Sequence, residues 1–575
     1  MAKLALSRVF IFSATISYAL ARVDNSTYLQ SFSRISALCF TLWVLVKVFI
    51  YPNLVSPLRQ IPTVDGGKWW SRSSLRLYTE PRGHAQADWA LTTPTEQHGL
   101  VRYRTLFNAE RIIVTHPDSL AEVLTTKAYQ FKKPEAVVTG LRQVLGMGIL
   151  LVEGDVHKAQ RKTLLPAFSF RHIKQLYSPM WDISSHALCS LTKATADNAS
   201  KASNAALTVD ISDWASSATL DIMCVLGLGQ DRESVLNKDE TYATLRRTYR
   251  QVTQQERADV VLFFLRIWIL PAWALPFIPV KRSQVLTQAA ATLRSVCRQF
   301  IRQKKLDIEN GIADKAERDI LTVALSHGGF GDAELVDQLL TFLAAGHETT
   351  ATALTWAIYA LCVHQEMQTR LRDEIRASLP SPSSPLPMHD CEGLATTIDK
   401  QMPYLSAVCQ EVLRFFAPVP TTFREAAVNT SIQGVQIPAG TQIVISPRAT
   451  NRDERLWGKD AKVFNPDRHL SLQQQTHYDP LDHDTHEAHS STTSEQRSNY
   501  ANLTFLHGPR SCIGQSFARA EMAILLAQLV GRFRFQLADP SQAEWESIKL
   551  RRGSTLRPAN GMHVKVELVE GWGCL

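Results

Sequence analysis

Ten residues near the C-terminus, Phe505 to Gly514 (FLHGPRSCIG), constrain this chain more tightly than any other stretch. Cys512 sits in a loop bounded by Gly508 and Gly514. Pro509 fixes φ and removes a backbone donor, and the glycines allow a tight turn and close approach to a flat ligand. The apolar run from Ile513 through FARAEMAILLAQL has helical periodicity, so the cysteine lies just ahead of a helix N-terminus. Unpaired N–H groups and the helix dipole there stabilise a thiolate. Arg510 adds a cation within reach of a carboxylate on the same ligand. A lone thiolate with no CxxC or His partner cannot close a zinc site, which needs four ligands. It can serve as the one axial ligand of a haem iron, the porphyrin supplying four others.

The stretch resembles the haem-binding signature of the cytochrome P450 monooxygenases, F-x-x-G-x-R-x-C-x-G. Phe505, Gly508, Arg510, Cys512 and Gly514 occupy every fixed position. The resemblance implies haem b (iron protoporphyrin IX) with Cys512 as its axial iron ligand and the other four residues around the cofactor.

Composition agrees with a catalytic domain of this size. Of 575 residues, 45% are hydrophobic and 20% charged, as in a globular protein with a large core. The net charge of +8, from 62 Lys+Arg against 54 Asp+Glu, is mild, and no dense basic run points to nucleic acid. Nine cysteines, an odd number without paired spacing, read as mostly buried thiols in a reducing compartment.

Two apolar runs open the chain: Val9–Leu20, flanked by Arg8 and Arg22, and Ile35–Tyr51, about long enough for a thin membrane. A cleaved signal peptide rivals the first reading and a core helix the second; a single span from Ile35 is the favoured topology. Residues 1–51 are therefore expected as an anchor region, 52–66 as a hinge punctuated by Pro52, Pro57 and Pro62, and 67–575 as the catalytic domain. From His98, GLVRYRTL and ERIIVTHP alternate as two strands, and residues 118–200 are mainly helical. Val209–Gly229 and Asn237–Gln255 read as helices. Val260–Val280, interrupted by Arg266, Pro271 and Pro276, reads as a membrane-dipping surface loop rather than a span.

In EGDVHKAQRKTLLPAF, His157 and Arg161 lie four apart on one helix face; a solvated basic face is the competing reading. In the family this helix carries W-x-x-x-R, whose side chains bind haem propionates. His157 replaces the Trp, and an imidazole N–H can donate the same hydrogen bond. Arg424, in TTFREA, lies where many family members place another propionate-binding cation.

Residues 334–364 form the longest apolar helical pattern, with AAGHETT at its centre. Gly346, Glu348, Thr349 and Thr350 suit a buried helix interior poorly. Glycine lets a ligand approach, and a threonine hydroxyl bonding back to an i−4 carbonyl is expected to open the helix. The stretch resembles the family's A-G-x-[DE]-T oxygen-activation motif, with Ala345, Gly346, Glu348 and Thr349 in register; this implies catalytic roles for Glu348 and Thr349 in proton delivery. Glu411 and Arg414 resemble the family's buried E-x-x-R pair, with Arg468 of FNPDRHL as the third, scaffold partner. IPAGTQIVISPRA reads as a strand pair turning at Ala439–Gly440. SPSSPLP (381–387) and the His-rich residues 471–500 read as insertions, a metal site in the latter being the weaker alternative.

The resemblance covers roughly residues 98–570. It implies a mainly α fold with a smaller β-rich lobe, the cytochrome P450 fold, behind an N-terminal membrane anchor. The implied reaction inserts one oxygen atom from O2 into a lipophilic substrate. Electrons would come from a separate NADPH–cytochrome P450 reductase, with cytochrome b5 as a second donor. The endoplasmic reticulum membrane, with the catalytic domain on its cytoplasmic side, is the expected location, and fungal secondary metabolism (terpenoid or polyketide) the expected setting. Two rivals stay open: a haem-thiolate isomerase or dehydratase needing no external electrons, and a non-catalytic haem or sterol-binding protein.

Overall fold

A computed structural model describes residues 28–64, 72–95, 98–105, 108–201, 206–253, 281–311, 319–379, 391–470 and 498–572. Val9–Leu20, Val260–Val280, Ser381–Pro387 and nearly all of the His-rich stretch lie outside these residues. Among the described residues there are ten strands: β1 (Leu100–Arg104), β2 (Glu110–Val114), β3 (Phe131–Lys132), β4 (Leu207–Asp210), β5 (Thr422–Ala426), β6 (Thr430–Ile432), β7 (Val435–Ile437), β8 (Gln442–Ile445), β9 (Phe533–Leu537) and β10 (His563–Leu568). The helices that matter below are α1 (Tyr28–Val44), α2 (Gly154–Leu164), α3 (Ile211–Ile222), α4 (Asp332–Val363), α5 (Pro403–Phe415) and α6 (Gln515–Arg532). The chain divides into two units, residues 1–132 with 421–449 and residues 133–420 with 450–575.

The first unit holds the larger sheet, ordered β1-β2-β8-β5-β3, with β2 and β8 its parallel pair. The two expected strands after His98 pair antiparallel, Leu100 opposite Val114, because Val101, Tyr103 and Ile113 share a buried face with Trp89. Gly440 turns the chain at φ 86° as expected. The strands on either side do not pair with each other, however: β7 pairs with β6, while β8 enters the large sheet. Alternation fixes a strand's faces but not its partner.

The N-terminal helix also belongs to this unit. α1 continues as π-helical turns from Leu45 to Val55, past Tyr51, with Pro52 inside. Proline lacks the donor an α-turn needs; the wider register closes instead through Ser56 N–H to Tyr51 O at 2.8 Å. Phe32–Val55, 24 residues with mean hydropathy 1.9 in its most apolar window, is long and apolar enough to cross a membrane. Leu38, Phe40, Leu42, Leu54 and Val55 stand exposed along it.

The second unit is built on α4, which is apolar nearly all round and therefore buried. α3 and α6 pack against it. β4, β10 and β9 form a three-stranded sheet here. Val209, expected at the start of a helix, instead pairs with Val564 of β10, and the helix begins after Asp210 accepts a hydrogen bond from Ser212 N–H at 2.9 Å.

The E-x-x-R pair lies wholly inside this unit. Glu411 and Arg414 make two bonds of 2.7 Å with both side chains fully buried. Arg468 adds a bond of 3.2 Å to Glu411, and His469, a partner the sequence did not single out, a contact of 2.9 Å. Burial alone would raise the Glu411 carboxyl, but hydrogen bonds and charge from Arg414 and His469 take it down to about 2. Removing one partner strands a buried charge, so Glu411→Ala or Arg414→Ala should each cost about 3–5 kcal/mol. The folded state keeps this carboxyl ionised to lower pH than the unfolded chain does. Its contribution is complete above about 4.5 and lost as pH falls towards 2. Thermal unfolding between pH 7 and 3 checks this: wild type should lose stability on acidification more steeply than Glu411→Gln.

Candidate haem-thiolate site

The Cys512 loop is held by its own backbone. Cys512 N–H donates to Phe505 O at 2.9 Å and Ser511 N–H to Gly508 O at 2.9 Å, closing the turn around Pro509 and Arg510. Gly508 takes φ 77°, which requires glycine; Leu506 takes φ 57°, a costly value for a branched residue. Gly514 has φ −88°, and a Cβ there would meet only Phe168 Cε1, at an ordinary 3.8 Å. The first glycine is thus demanded by the turn, whereas the second is not.

α6 begins at Gln515, three residues beyond Cys512. Four other described cysteines, 224, 297, 362 and 409, are buried, and Cys512 is exposed. Desolvation by the surrounding protein still pushes its thiol up, against a hydrogen bond from Gly514 N–H and the charge of Arg161. The Gly514 N–H and Arg161 therefore favour a thiolate but do not outweigh desolvation by the neighbouring protein atoms; a cation bonded to sulfur would.

α2 presents its cations to this loop. His157 is 3% exposed, whereas Lys158 and Lys162 face solvent and Lys158 pairs with Asp155 at 2.9 Å. The solvated basic face is a different face of the helix. Arg161 donates from Nη1 to Ser511 O at 2.7 Å and from Nη2 to Ser511 Oγ at 3.1 Å, beside Cys512. Arg510 pairs with Glu153, whose other oxygen accepts from Lys133 N–H at 2.8 Å. Burial first, then the charges of Lys133, Arg510 and Arg161, push His157 down to about 4, with Glu153 opposing.

Three cations thus act on His157 against one carboxylate. A ligand with two carboxylates fits that set, and the propionates of a haem are such a pair. Neither Lys133 nor Glu153 stood out in the sequence, where each is one charge among several. Arg424 belongs to the first unit, on β5, where it donates to Phe423 O at 2.9 Å and Thr422 Oγ1 at 3.3 Å.

α4 reaches the same loop through one aromatic contact. Phe168, next to Gly514, lies edge-on to Phe342 of α4 with ring centroids 5.5 Å apart. Ala345 is exposed although it lies mid-helix, and Thr349 is half-buried. Thr349 Oγ1 donates to Ala345 O at 2.7 Å and Thr350 Oγ1 to Gly346 O at 3.1 Å, the expected back-bonding. The expected opening is not seen: α4 is α-helical from Asp332 to Val363, since each hydroxyl adds to its i−4 carbonyl without displacing the backbone bond. Gly346 also leaves room for a buried side chain. A Cβ there would lie 2.1 Å from Met223 Cε, just beyond α3. Glu348 Oε1 accepts from Thr555 Oγ1 at 2.8 Å.

A buried acid on α6 completes the picture. Glu521, fully buried, is pushed well above the usual carboxylate range by burial, with Thr350 opposing. The signal was present in FARAEMAILLAQL, where a lone acid interrupts an apolar run.

A mainly helical unit with a solvent-facing cysteine ahead of a buried helix, and a positive cluster beside it, has the build of a haem-thiolate oxidoreductase. This chain belongs to the cytochrome P450 family, whose model (Cytochrome P450) matches residues 95–565. It is 43% identical to cytochrome P450 monooxygenase ALT8 of Alternaria alternata over 95% of this chain and 96% of that one. It is 45% identical to cytochrome P450 monooxygenase FUM15 of Gibberella moniliformis over 90% of each. With cytochrome P450 monooxygenase sphH of Aspergillus fumigatus the identity is 40% over 92% of each. The chain is accordingly a monooxygenase with a haem-thiolate cofactor, acting on a lipophilic substrate and O2 with a redox partner.

Glu521 makes stability depend on pH. The folded state holds a proton that the unfolded chain releases above about 4.5, so the site stabilises less as pH rises through that interval. Glu521→Gln should therefore raise Tm by a few degrees at pH 8 and by less at pH 5. Equal or negative shifts at both pH values would contradict a neutral buried carboxyl.

Proposed function

We propose that the cofactor is haem b, that Cys512 is its axial iron ligand, and that His157, Arg161 and Arg510 bind the propionates. The observation that carries this reading is the cluster of Lys133, Arg161 and Arg510 around His157, with Arg161 bonded to Ser511 beside an exposed Cys512. Phe505, Gly508 and Gly514 shape the loop: Phe505 O fixes the Cys512 amide, and its ring lies under the Arg519 guanidinium at 5.4 Å. Arg161 holds Ser511 and so orients the cysteine. A haem held there would supply O2 activation: with two electrons from the redox partner and two protons, one oxygen atom would enter the substrate and the other would leave as water.

The remaining work is proton traffic and exclusion of water. Thr349 commits its hydroxyl proton to Ala345 O, so its oxygen is presented as a hydrogen-bond acceptor on the exposed Ala345 face. Glu348, the adjacent titratable group, takes up a proton and passes it on, as a general acid does. The apolar core of α4 keeps bulk water from either side of this short polar patch.

Electrons arrive from an NADPH–cytochrome P450 reductase, assisted by cytochrome b5. The exposed Lys158 and Lys162 beside the Cys512 loop suit an acidic partner surface. Residues 1–51 anchor the protein to the endoplasmic reticulum, with the catalytic domain cytoplasmic; the exposed apolar face of Phe32–Val55 supports that placement. The setting is fungal secondary metabolism, with a terpenoid- or polyketide-like substrate; relatives from fungi at 43–45% identity support it. An isomerase or a non-catalytic binder is not favoured, since those relatives are monooxygenases by name.

Cys512→Ser should abolish the red-shifted Soret band of the reduced carbon monoxide complex. Arg161→Ala and Arg510→Ala should keep that band but lose haem to apomyoglobin about ten-fold faster or more. Retention of the thiolate band without Cys512 would overturn the ligand assignment. Thr349→Ala and Glu348→Gln should both keep haem while raising hydrogen peroxide released per NADPH oxidised, read with purified reductase; unchanged ratios would remove them from proton delivery.

A further inference from the structure

Glu348 is held from outside its own helix. The only hydrogen bond to its carboxylate among the described residues comes from Thr555, in the turn between Leu550 and Pro558. This turn is tightly built: Arg551 N–H donates to Arg557 O at 2.7 Å, and Arg557 N–H to Thr555 O at 3.0 Å. Its inner side is fixed at Leu556, whose N–H donates to Pro418 O at 2.8 Å and whose carbonyl accepts from Trp356 Nε1 at 2.6 Å. Trp356, on α4 two turns beyond Glu348, is fully buried and stacked on Phe416 at 4.6 Å. Thr555 is thereby placed by a neighbour with no freedom to move.

The turn also joins Glu348 to solvent over a short distance. Arg552 and Ser554 are exposed and Thr555 is buried, so the carboxylate's partner directly follows a surface residue. Two cations flank the spot. Glu348 charge favours the charged form of Arg551, whose guanidinium burial and the neighbouring Arg557 otherwise disfavour it. Arg557 also acts on Tyr249 and His347, two groups that the charge of Glu348 reaches as well.

We infer that Thr555 is a positioning residue for proton delivery and that the turn Leu550–Pro558 is where protons enter from solvent. Thr555 fixes Oε1 of Glu348, leaving Oε2 to accept a proton at the Arg551–Arg557 side and release it towards Thr349. The carboxylate is regenerated each time, so no other reactant is needed. The inference rests on the role proposed above for Glu348, and the test separates the two.

The holoenzyme, reconstituted with purified P450 reductase, is compared as wild type, Thr555→Val, Thr555→Ser, Glu348→Gln and the Thr555→Val/Glu348→Gln double variant. Hydrogen peroxide released per NADPH oxidised should rise several-fold, up to about ten-fold, in Thr555→Val, return to wild type in Thr555→Ser, and rise no further in the double variant than in Glu348→Gln. The infrared carboxylate band lost in Glu348→Gln should shift in Thr555→Val and be restored in Thr555→Ser. Should Thr555→Val fold poorly by Tm, Thr555→Ala against Thr555→Ser carries the same comparison. If Glu348→Gln raises peroxide and Thr555→Val does not, this inference is overturned and the Glu348 role stands. If Glu348→Gln changes nothing, both fall.

Discussion

A carboxylate with no access to water organises the catalytic half of this protein. Glu411 is ionised and buried, so it needs Arg414, Arg468 and His469 around it, and each of those must itself be satisfied. Arg414 spends its remaining donors on the carbonyls of Asn451, Ala461 and Val463. Asn451 in turn donates to Thr504 Oγ1 at 2.8 Å and accepts from Leu503 N–H at 2.8 Å, while Thr504 Oγ1 donates to Leu413 O. Leu503 and Thr504 immediately precede Phe505. The demand of one buried charge thus propagates, bond by bond, to the base of the cysteine loop, without any of these residues touching the chemistry.

How much of this was legible depended on whether a residue's reason was local. The Cys512 loop announces itself because turn, cation and helix start all lie within ten residues, and α4 is visible because its apolar pattern runs for more than eight turns. Thr349 bonds to Ala345 because an i−4 carbonyl is always within reach of a helical threonine, so that contact too could be read in advance. Reasons that come from across the fold could not. The room at Gly346 is taken up by Met223, 123 residues away in sequence; β7 and β8 looked like a hairpin and belong to different sheets. Val209 looked helical until β10 offered it a partner. His469 and Thr555 carry no local signature, since their partners lie 58 and 207 residues away.

Pro52 makes the same point about scale. Read alone, a proline after an apolar run ends a helix; in the folded chain π-helical turns carry the helix to Val55. Pro52 and Val48 are buried, and Asn108 donates to Val48 O at 2.6 Å, so the last turns are tied to the sheet-bearing unit while the preceding ones stay bare. A proline's missing donor is decisive only where nothing else supplies the support.

The packing behind α4 has a consequence for how this sequence can change. A single thioether, Met223, fills the notches of two glycines: a Cβ on Gly227 would lie 2.1 Å from its Sδ, and one on Gly346 as close to its Cε. The three positions therefore form one unit of variation. Substituting either glycine first forces the end of Met223 to shift, shortening the methionine first leaves a void, and a coordinated exchange keeps the volume constant. Homologous sequences aligned at these sites should covary as a triplet, and grafting the AAGHETT segment into another background would carry its own compatibility requirement at position 223.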